Sequence, residues 1–225
     1  MRSADRVSYR LLLAANRGGG LYSEAVSQRL GAVLAASAYR LGLSPAALSI
    51  ANVLCGVIAS VLVLVTGWGW FGLLGWQVAY AFDCADGQLA RATGRASPAG
   101  ARLDVLCDLA VQISVVTAVA SFYTGTPGWV LALFAGTWLV NLVASVLQSS
   151  APAAGLLPSR SPAVRVVKLA RDYGFVVLVA GLTLTFAPQW TEPLVVALTV
   201  LNGSFLLTSL VAALLAATST RDQDA

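Results

Sequence analysis

Six apolar stretches recur along this 225-residue chain, at about 46–65, 70–82, 100–123, 129–148, 166–187 and 194–217. Each is near the roughly 20 residues that an α-helix needs to cross a hydrocarbon core, the second one once it is extended through Asp83 and Asp86. The connections between them carry turn residues: Gly67 to Trp70, the polar run 91–98, Gly125 to Gly128, the Pro/Ser/Ala-rich segment 149–165, and 188–193. Ser44-Pro45 is a helix start, with serine as cap and proline at the first position. Upstream, Val26, Leu30, Val33 and Leu34 fall at helical spacing with Glu24, Gln28 and Arg29 between them, which predicts an amphipathic helix over 23–43. Two placements fit it: on the membrane surface, with Arg29 and Arg40 snorkelling, or packed on the bundle as a short soluble helix. Residues 1–22 read as a basic arm ending in the flexible run Gly18 to Gly20. The apolar part of that arm, 11–15, is shorter than the roughly 7–15 residues of a signal-peptide core. The expected fold class is therefore an all-α integral membrane protein, six transmembrane helices preceded by a cytoplasmic amphipathic surface helix. Its parts are an arm and surface helix (1–43), a catalytic membrane domain (44–218) and a tail (219–225).

Composition agrees. Only 11% of residues are charged and the mean hydropathy is +0.79, against about 25% charged in soluble domains. The three cysteines (Cys55, Cys84, Cys107) form no CxxC pair and histidine is absent, which argues against a zinc site or a disulfide framework.

Charge placement sets the expected orientation. Six arginines precede the first span (Arg2, Arg6, Arg10, Arg17, Arg29, Arg40); Arg91, Arg95 and Arg102 flank the second connection; Arg160, Arg165, Lys168 and Arg171 flank the fourth; Arg221 lies in the tail. The first, third and fifth connections have none. With six spans, both termini and both basic connections face the cytoplasm. Trp68, Trp70, Trp129 and Trp190 then fall at the opposite face, as an aromatic belt.

Four of the ten carboxylates break this apolar pattern: Asp83, Asp86, Asp104 and Asp108. An ionisable group near a bilayer centre costs roughly 2.5–3.5 kcal/mol on insertion scales, so such a cluster is functional by default. Three- and four-residue spacing puts each pair on one helix face. The second span runs inward and the third outward, so both pairs meet near the cytoplasmic interface. Four anions there need compensation, and an oxygen-only donor set suits hard cations, Mg²⁺, Mn²⁺ or Ca²⁺. The expectation is two ions, Mg²⁺ or Mn²⁺, clamping a phosphoryl group. Gly87 and Gly100 leave room for a ligand or a neighbouring helix, and Arg91 is placed for phosphate oxygens. Arg95 and Arg102 read equally as topology-setting anchors.

The string Asp83-x2-Asp86-Gly87-x2-Ala90-Arg91-x8-Gly100-x3-Asp104-x3-Asp108 resembles the signature of the CDP-alcohol phosphotransferases at every fixed position. The resemblance covers most of the chain, surface helix and six spans included. It implies that Asp83, Asp86, Asp104 and Asp108 form the metal site, with Asp108 also the general base on the acceptor hydroxyl. It implies that Ser49, Gly87, Arg91 and Gly100 face the CDP moiety, that CMP is released, and that the chain forms a homodimer. Where many members open the first span with Pro-Asn-x-(Leu or Ile)-Thr, this chain has Pro45-Ala46-Ala47-Leu48-Ser49, which keeps a hydroxyl and lacks the amide.

A membrane-embedded site suits a lipid donor such as CDP-diacylglycerol, in phospholipid synthesis at a bacterial inner membrane. No nucleic-acid partner is expected. Arg160, Arg165, Lys168 and Arg171 suggest an anionic acceptor such as inositol phosphate or glycerol phosphate; anchoring beside anionic lipid is the competing explanation. Serine as acceptor and a soluble CDP-alcohol as donor stay open. A carboxylate-lined ion transporter is the alternative of another class, although its site would sit near the midplane at a repeat interface.

Overall fold

A computed structural model describes residues 7–16, 20–122, 125–149 and 169–221. All regular structure among them is helical: α1 (Tyr9–Ala14), a π-helical turn (Ser23–Ser27) running into α2 (Gln28–Arg40), α3 (Pro45–Thr66), α4 (Gly69–Ala92), α5 (Pro98–Phe122), α6 (Gly128–Ser149), α7 (Tyr173–Phe186), a 3₁₀ turn (Pro188–Trp190) and α8 (Thr191–Arg221). Among the described residues, three helical stretches are long and apolar enough to cross a membrane: Pro45–Thr66, Pro98–Phe122 and Pro188–Val211.

Local chemistry sets the boundaries. The Ser44 hydroxyl accepts a 3.2 Å hydrogen bond from the Ala47 amide, with Pro45 at the first helical position. Gly94, at φ +67°, closes α4 in the left-handed region, where a Cβ would be strained. The Ser97 hydroxyl then accepts from the Gly100 amide at 3.1 Å and starts α5.

α3 packs against both α4 and α5, α4 against α2 and α7, and α6 against α8. Small residues permit these approaches: a Cβ on Gly75 would lie 2.3 Å from the Ala59 Cβ, and one on Gly181 would lie 2.5 Å from the Leu73 Cα. The main core, around Trp76, Phe134, Val63 and Val115, fills the half of the bundle away from the acids. Trp68, Trp70, Trp129 and Trp190 stand exposed at that same end, where Trp70 meets Phe186 edge-on at 5.0 Å.

Three sequence expectations change. The N-terminal arm contains a helix, α1, whose Leu12 is fully buried against Ala32, Ala35, Ala38, Leu48, Ala85 and Leu89. The face of α2 that packs is the small-residue face, Gln28, Gly31, Ala32, Ala35 and Ala38, whereas Leu30 and Val33 remain exposed. Close approach decides this: a Cβ on Gly31 would lie 2.8 Å from the Cys84 Cβ, a spacing that a leucine on that face would forbid. The larger apolar side chains are left exposed on the opposite face. Finally, the apolar stretch at 166–187 is not one helix. The chain turns at Arg171, and α7 restarts at Tyr173 with Asp172 as its cap, accepting from the Gly174 amide at 3.1 Å.

Candidate active site

α4 ends and α5 begins at the same end of the bundle, joined by the short run 93–97, so the two aspartate pairs meet there. One carboxylate oxygen from each of Asp83, Asp104 and Asp108 lies within 4.8 Å of the other two. The Asp83 carboxyl contacts that of Asp108, and the Asp104 carboxyl contacts that of Asp86. Asp86 is buried and accepts a hydrogen bond from the Ser49 hydroxyl on α3. Asp104 Oδ1 is buried, and no donor reaches it among the described residues.

Two cavities flank these acids. The first is a cleft of ≈ 140 Å³ that takes in Ser49, Asp86, Gly87, Arg91, Gly100 and Asp104, with Arg95 on its rim. All four residues expected to face a CDP moiety therefore share one wall system with two of the aspartates. A Cβ on Gly87 would lie 2.8 Å from an Arg91 terminal nitrogen, so glycine there lets the guanidinium fold back over the helix. The second cavity, ≈ 210 Å³, is lined by Asn52, Tyr80, Asp83, Asp108, Gln112 and Tyr173, besides Val111.

The supporting contacts come from the N-terminal elements. Arg91 Nε donates to the Ala15 carbonyl at 2.6 Å, and the fully buried Gln88 donates to Asn16 Oδ1 (2.9 Å) and to the Gln28 carbonyl (2.8 Å). On the other side of α4, the buried Asp172 accepts from the Ser23 amide (2.8 Å) and from its hydroxyl. The Ser23 hydroxyl also meets the Tyr80 hydroxyl at 2.9 Å. Tyr22 donates to Gln77 Oε1 at 2.9 Å; burial, then the Asp172 charge, pushes its phenol above the usual tyrosine range, so it remains a donor.

Sequence reasoning missed Asn52, whose Nδ2 donates to Asp108 Oδ1 at 3.4 Å. A lone amide in an apolar span was the available signal. Tyr80 and Tyr173 were missed as well, because aromatics in a span read as packing. Of the basic residues expected at an acceptor site, Arg160, Arg165 and Lys168 lie outside the described residues. Arg171 lies with its guanidinium 4.1 Å from the centre of the Phe205 ring.

The family model for CDP-alcohol phosphatidyltransferases matches residues 43–219. The chain is also 29% identical over 197 residues to a phosphatidylinositol phosphate synthase of Mycobacteroides abscessus, covering 84% of each protein. With the match spanning α3 through nearly all of α8 and containing the whole aspartate string, this chain belongs to the CDP-alcohol phosphatidyltransferase family.

Proposed function

We propose that this protein transfers a phosphatidyl group from CDP-diacylglycerol to a hydroxyl of a phosphorylated polyol, inositol phosphate or glycerol phosphate, and releases CMP. The observation that carries this reading is the cleft in which Ser49, Gly87, Arg91 and Gly100 lead onto Asp86 and Asp104, with Asp83 and Asp108 immediately beyond. The phosphorylated acceptor is favoured because the Mycobacteroides abscessus relative is named as a phosphatidylinositol phosphate synthase.

The donor set fits divalent cations. Its oxygens converge from three helix positions, and Asp104 Oδ1 is buried without a donor, as a metal-facing oxygen would be. Asp83, Asp86, Asp104 and Asp108 would hold the ions, Mg²⁺ or Mn²⁺. When bound, they would neutralise diphosphate charge and stabilise the entering and leaving oxygens.

The chain's own groups supply the rest. The Ser49 hydroxyl orients Asp86 at the mouth of the cleft. Arg91, tethered through Nε to Ala15, presents its terminal nitrogens over Gly87, where diphosphate oxygens would lie. Asp108 takes the proton of the acceptor hydroxyl, and Asn52 holds the carboxylate in place. The new acceptor oxygen–phosphorus bond forms as the bond between that phosphorus and the CMP oxygen breaks. In this reading α3 to α8 supply six spans, the second through α4 and the fifth through α7, with both termini and the site on the cytoplasmic face.

The test is CMP release by purified protein given CDP-diacylglycerol, divalent metal and a panel of inositol phosphate, glycerol phosphate, inositol and serine. Release is expected with a phosphorylated polyol and lost in Asp108→Asn at unchanged thermal stability. Full turnover by Asp108→Asn would remove the general-base role, and release only with serine or free inositol would overturn the acceptor.

A further inference from the structure

α1 is held on the bundle through Leu12, buried among Ala32, Ala35, Ala38, Leu48, Ala85 and Leu89. Apolar burial is non-directional, so this contact keeps α1 in place without fixing its rotation about that point. Direction comes from Gln88, a fully buried amide on α4. Its NH₂ group donates twice, to Asn16 Oδ1 at 2.9 Å and to the Gln28 carbonyl at 2.8 Å. One planar group thereby pins the segment after α1, the start of α2, and α4.

The pinned segment also carries the acceptor for Arg91. Ala15 is the neighbour of Asn16, and its carbonyl accepts from Arg91 Nε at 2.6 Å. Carbonyls at a helix C-terminus lack intrahelical donors and carry partial negative charge, which suits them to a guanidinium. Gln88 and Arg91 are three apart on α4, so they grip adjacent residues of the same segment. Of these groups Arg91 lines the cleft, whereas Gln88 and Asn16 do not. Two atoms at the joint, Gln88 Oε1 and Asn16 Nδ2, are buried with no partner among the described residues. Unmade buried hydrogen bonds weaken a fold, so stability alone does not account for a polar joint here.

We propose that Gln88 and Asn16 are positioning residues for the nucleotide end of the donor. Gln88 holds Asn16, Asn16 sets the neighbouring Ala15 carbonyl, and that carbonyl aims the Arg91 guanidinium over Gly87. Neither residue touches substrate, and their effect on the donor rests on the phosphotransfer reading above.

Asn16→Ala removes the acceptor of the joint, and Gln88→Met replaces the amide with an apolar chain of similar length. Asn16→Ala, at a half-buried residue, keeps the test in place should Gln88→Met not fold. Each variant is followed by thermal melting in detergent with Mg²⁺, with and without CDP, and by CMP-release kinetics with each substrate varied. The wild type shows a CDP-dependent rise in Tm. At a CDP concentration about ten times its Kd, a tenfold weakening leaves about a third of that rise, as expected of both variants. Donor KM rises about tenfold, while acceptor KM and kcat stay within about twofold. On an Arg91→Ala background neither substitution adds more than about twofold, because the guanidinium they aim is gone. A lowered Tm with unchanged CDP response and donor KM assigns the joint to folding alone and overturns the proposal. So does an effect of full size on the Arg91→Ala background, or a wild type that gives no CDP response. If CDP binding weakens as expected and no acceptor supports CMP release, the transfer reaction falls and the positioning role stands.

Discussion

Arg91 Nε and the Ala15 carbonyl lie 2.6 Å apart, so the helix that bears Asp83 and Asp86 is tied to the N-terminal segment that follows α1. The bond occupies one nitrogen of a planar fork and directs the other two over Gly87. Lysine has no such fork: it can reach Ala15 or the cleft, and cannot hold both.

Arg91→Lys should therefore raise donor KM by about 10- to 100-fold, the range for a lost hydrogen bond to a charged group, and leave acceptor KM close to wild type. Kinetics of CMP release with each substrate varied in turn would check this. An acceptor-side effect of equal size would contradict the placement of Arg91 at the nucleotide.

Ser49 and Asp86 make a similar case on α3. Ser49→Ala leaves the Asp86 carboxylate without its hydroxyl partner inside the bundle, which should reduce kcat/KM for the donor by about tenfold. Ser49→Thr retains the oxygen and should restore most of the loss. If threonine fails where alanine also fails, packing at this position outweighs the hydrogen bond.

The aspartate string was readable because its spacing alone places four carboxylates on two helix faces, and its length fixes the turn between them. The contacts that hold it were not. Leu12 lies in an apolar run too short to show periodicity, and only the tertiary pocket of Ala32, Ala35 and Ala85 makes it a core residue. The packing face of α2 was hidden for the same reason: alanine and glycine weigh little in a hydrophobic pattern, yet they set how closely helices approach. Asp172 did carry a local signal, an acidic cap before an apolar run, which the surrounding apolar residues obscured.

Asp172 joins the start of α7 to Ser23, and through it the segment before α2. Asp172→Ala removes a helix cap worth about 0.5–2 kcal/mol and at least one hydrogen bond to a carboxylate worth about 1.5–3 kcal/mol. A loss of about 3 kcal/mol is expected, read as a lowered melting temperature in detergent. Asp172→Asn, which can still accept, should lose less than half as much. Equal losses would mean that the negative charge, and not the hydrogen-bond geometry, is what the site requires.

Divalent metal should stabilise the folded protein without any substrate. At about 100 times its Kd, a ligand that binds only the folded state contributes about 2.7 kcal/mol, so Mg²⁺ or Mn²⁺ should raise the melting temperature and a chelator should reverse the rise. Asp104→Asn removes a ligand from the cluster and should abolish the metal-dependent rise. The same variant should stop CMP release. A rise that persists in Asp104→Asn would place the metal elsewhere.

Arg171 separates an acceptor role from an anchoring role. Its guanidinium lies over Phe205 at 4.1 Å, two positions before Tyr173 and next to the Asp172 cap. Such a contact is worth about 0.5–2 kcal/mol depending on exposure. If Arg171 serves the acceptor phosphate, Arg171→Ala should raise acceptor KM about tenfold or more. Phe205→Leu, which removes the ring and keeps the charge, should then change it less than threefold. Both variants should leave donor KM unaltered, because the cleft wall contains neither residue. Equal small effects from the two would assign Arg171 to packing against α8. A change in membrane topology on Arg171→Ala, scored by cysteine accessibility, would assign it to orientation. The acceptor assignment predicts a third pattern: a KM change for inositol phosphate that is absent for unphosphorylated inositol, since only the former presents an anion to the guanidinium.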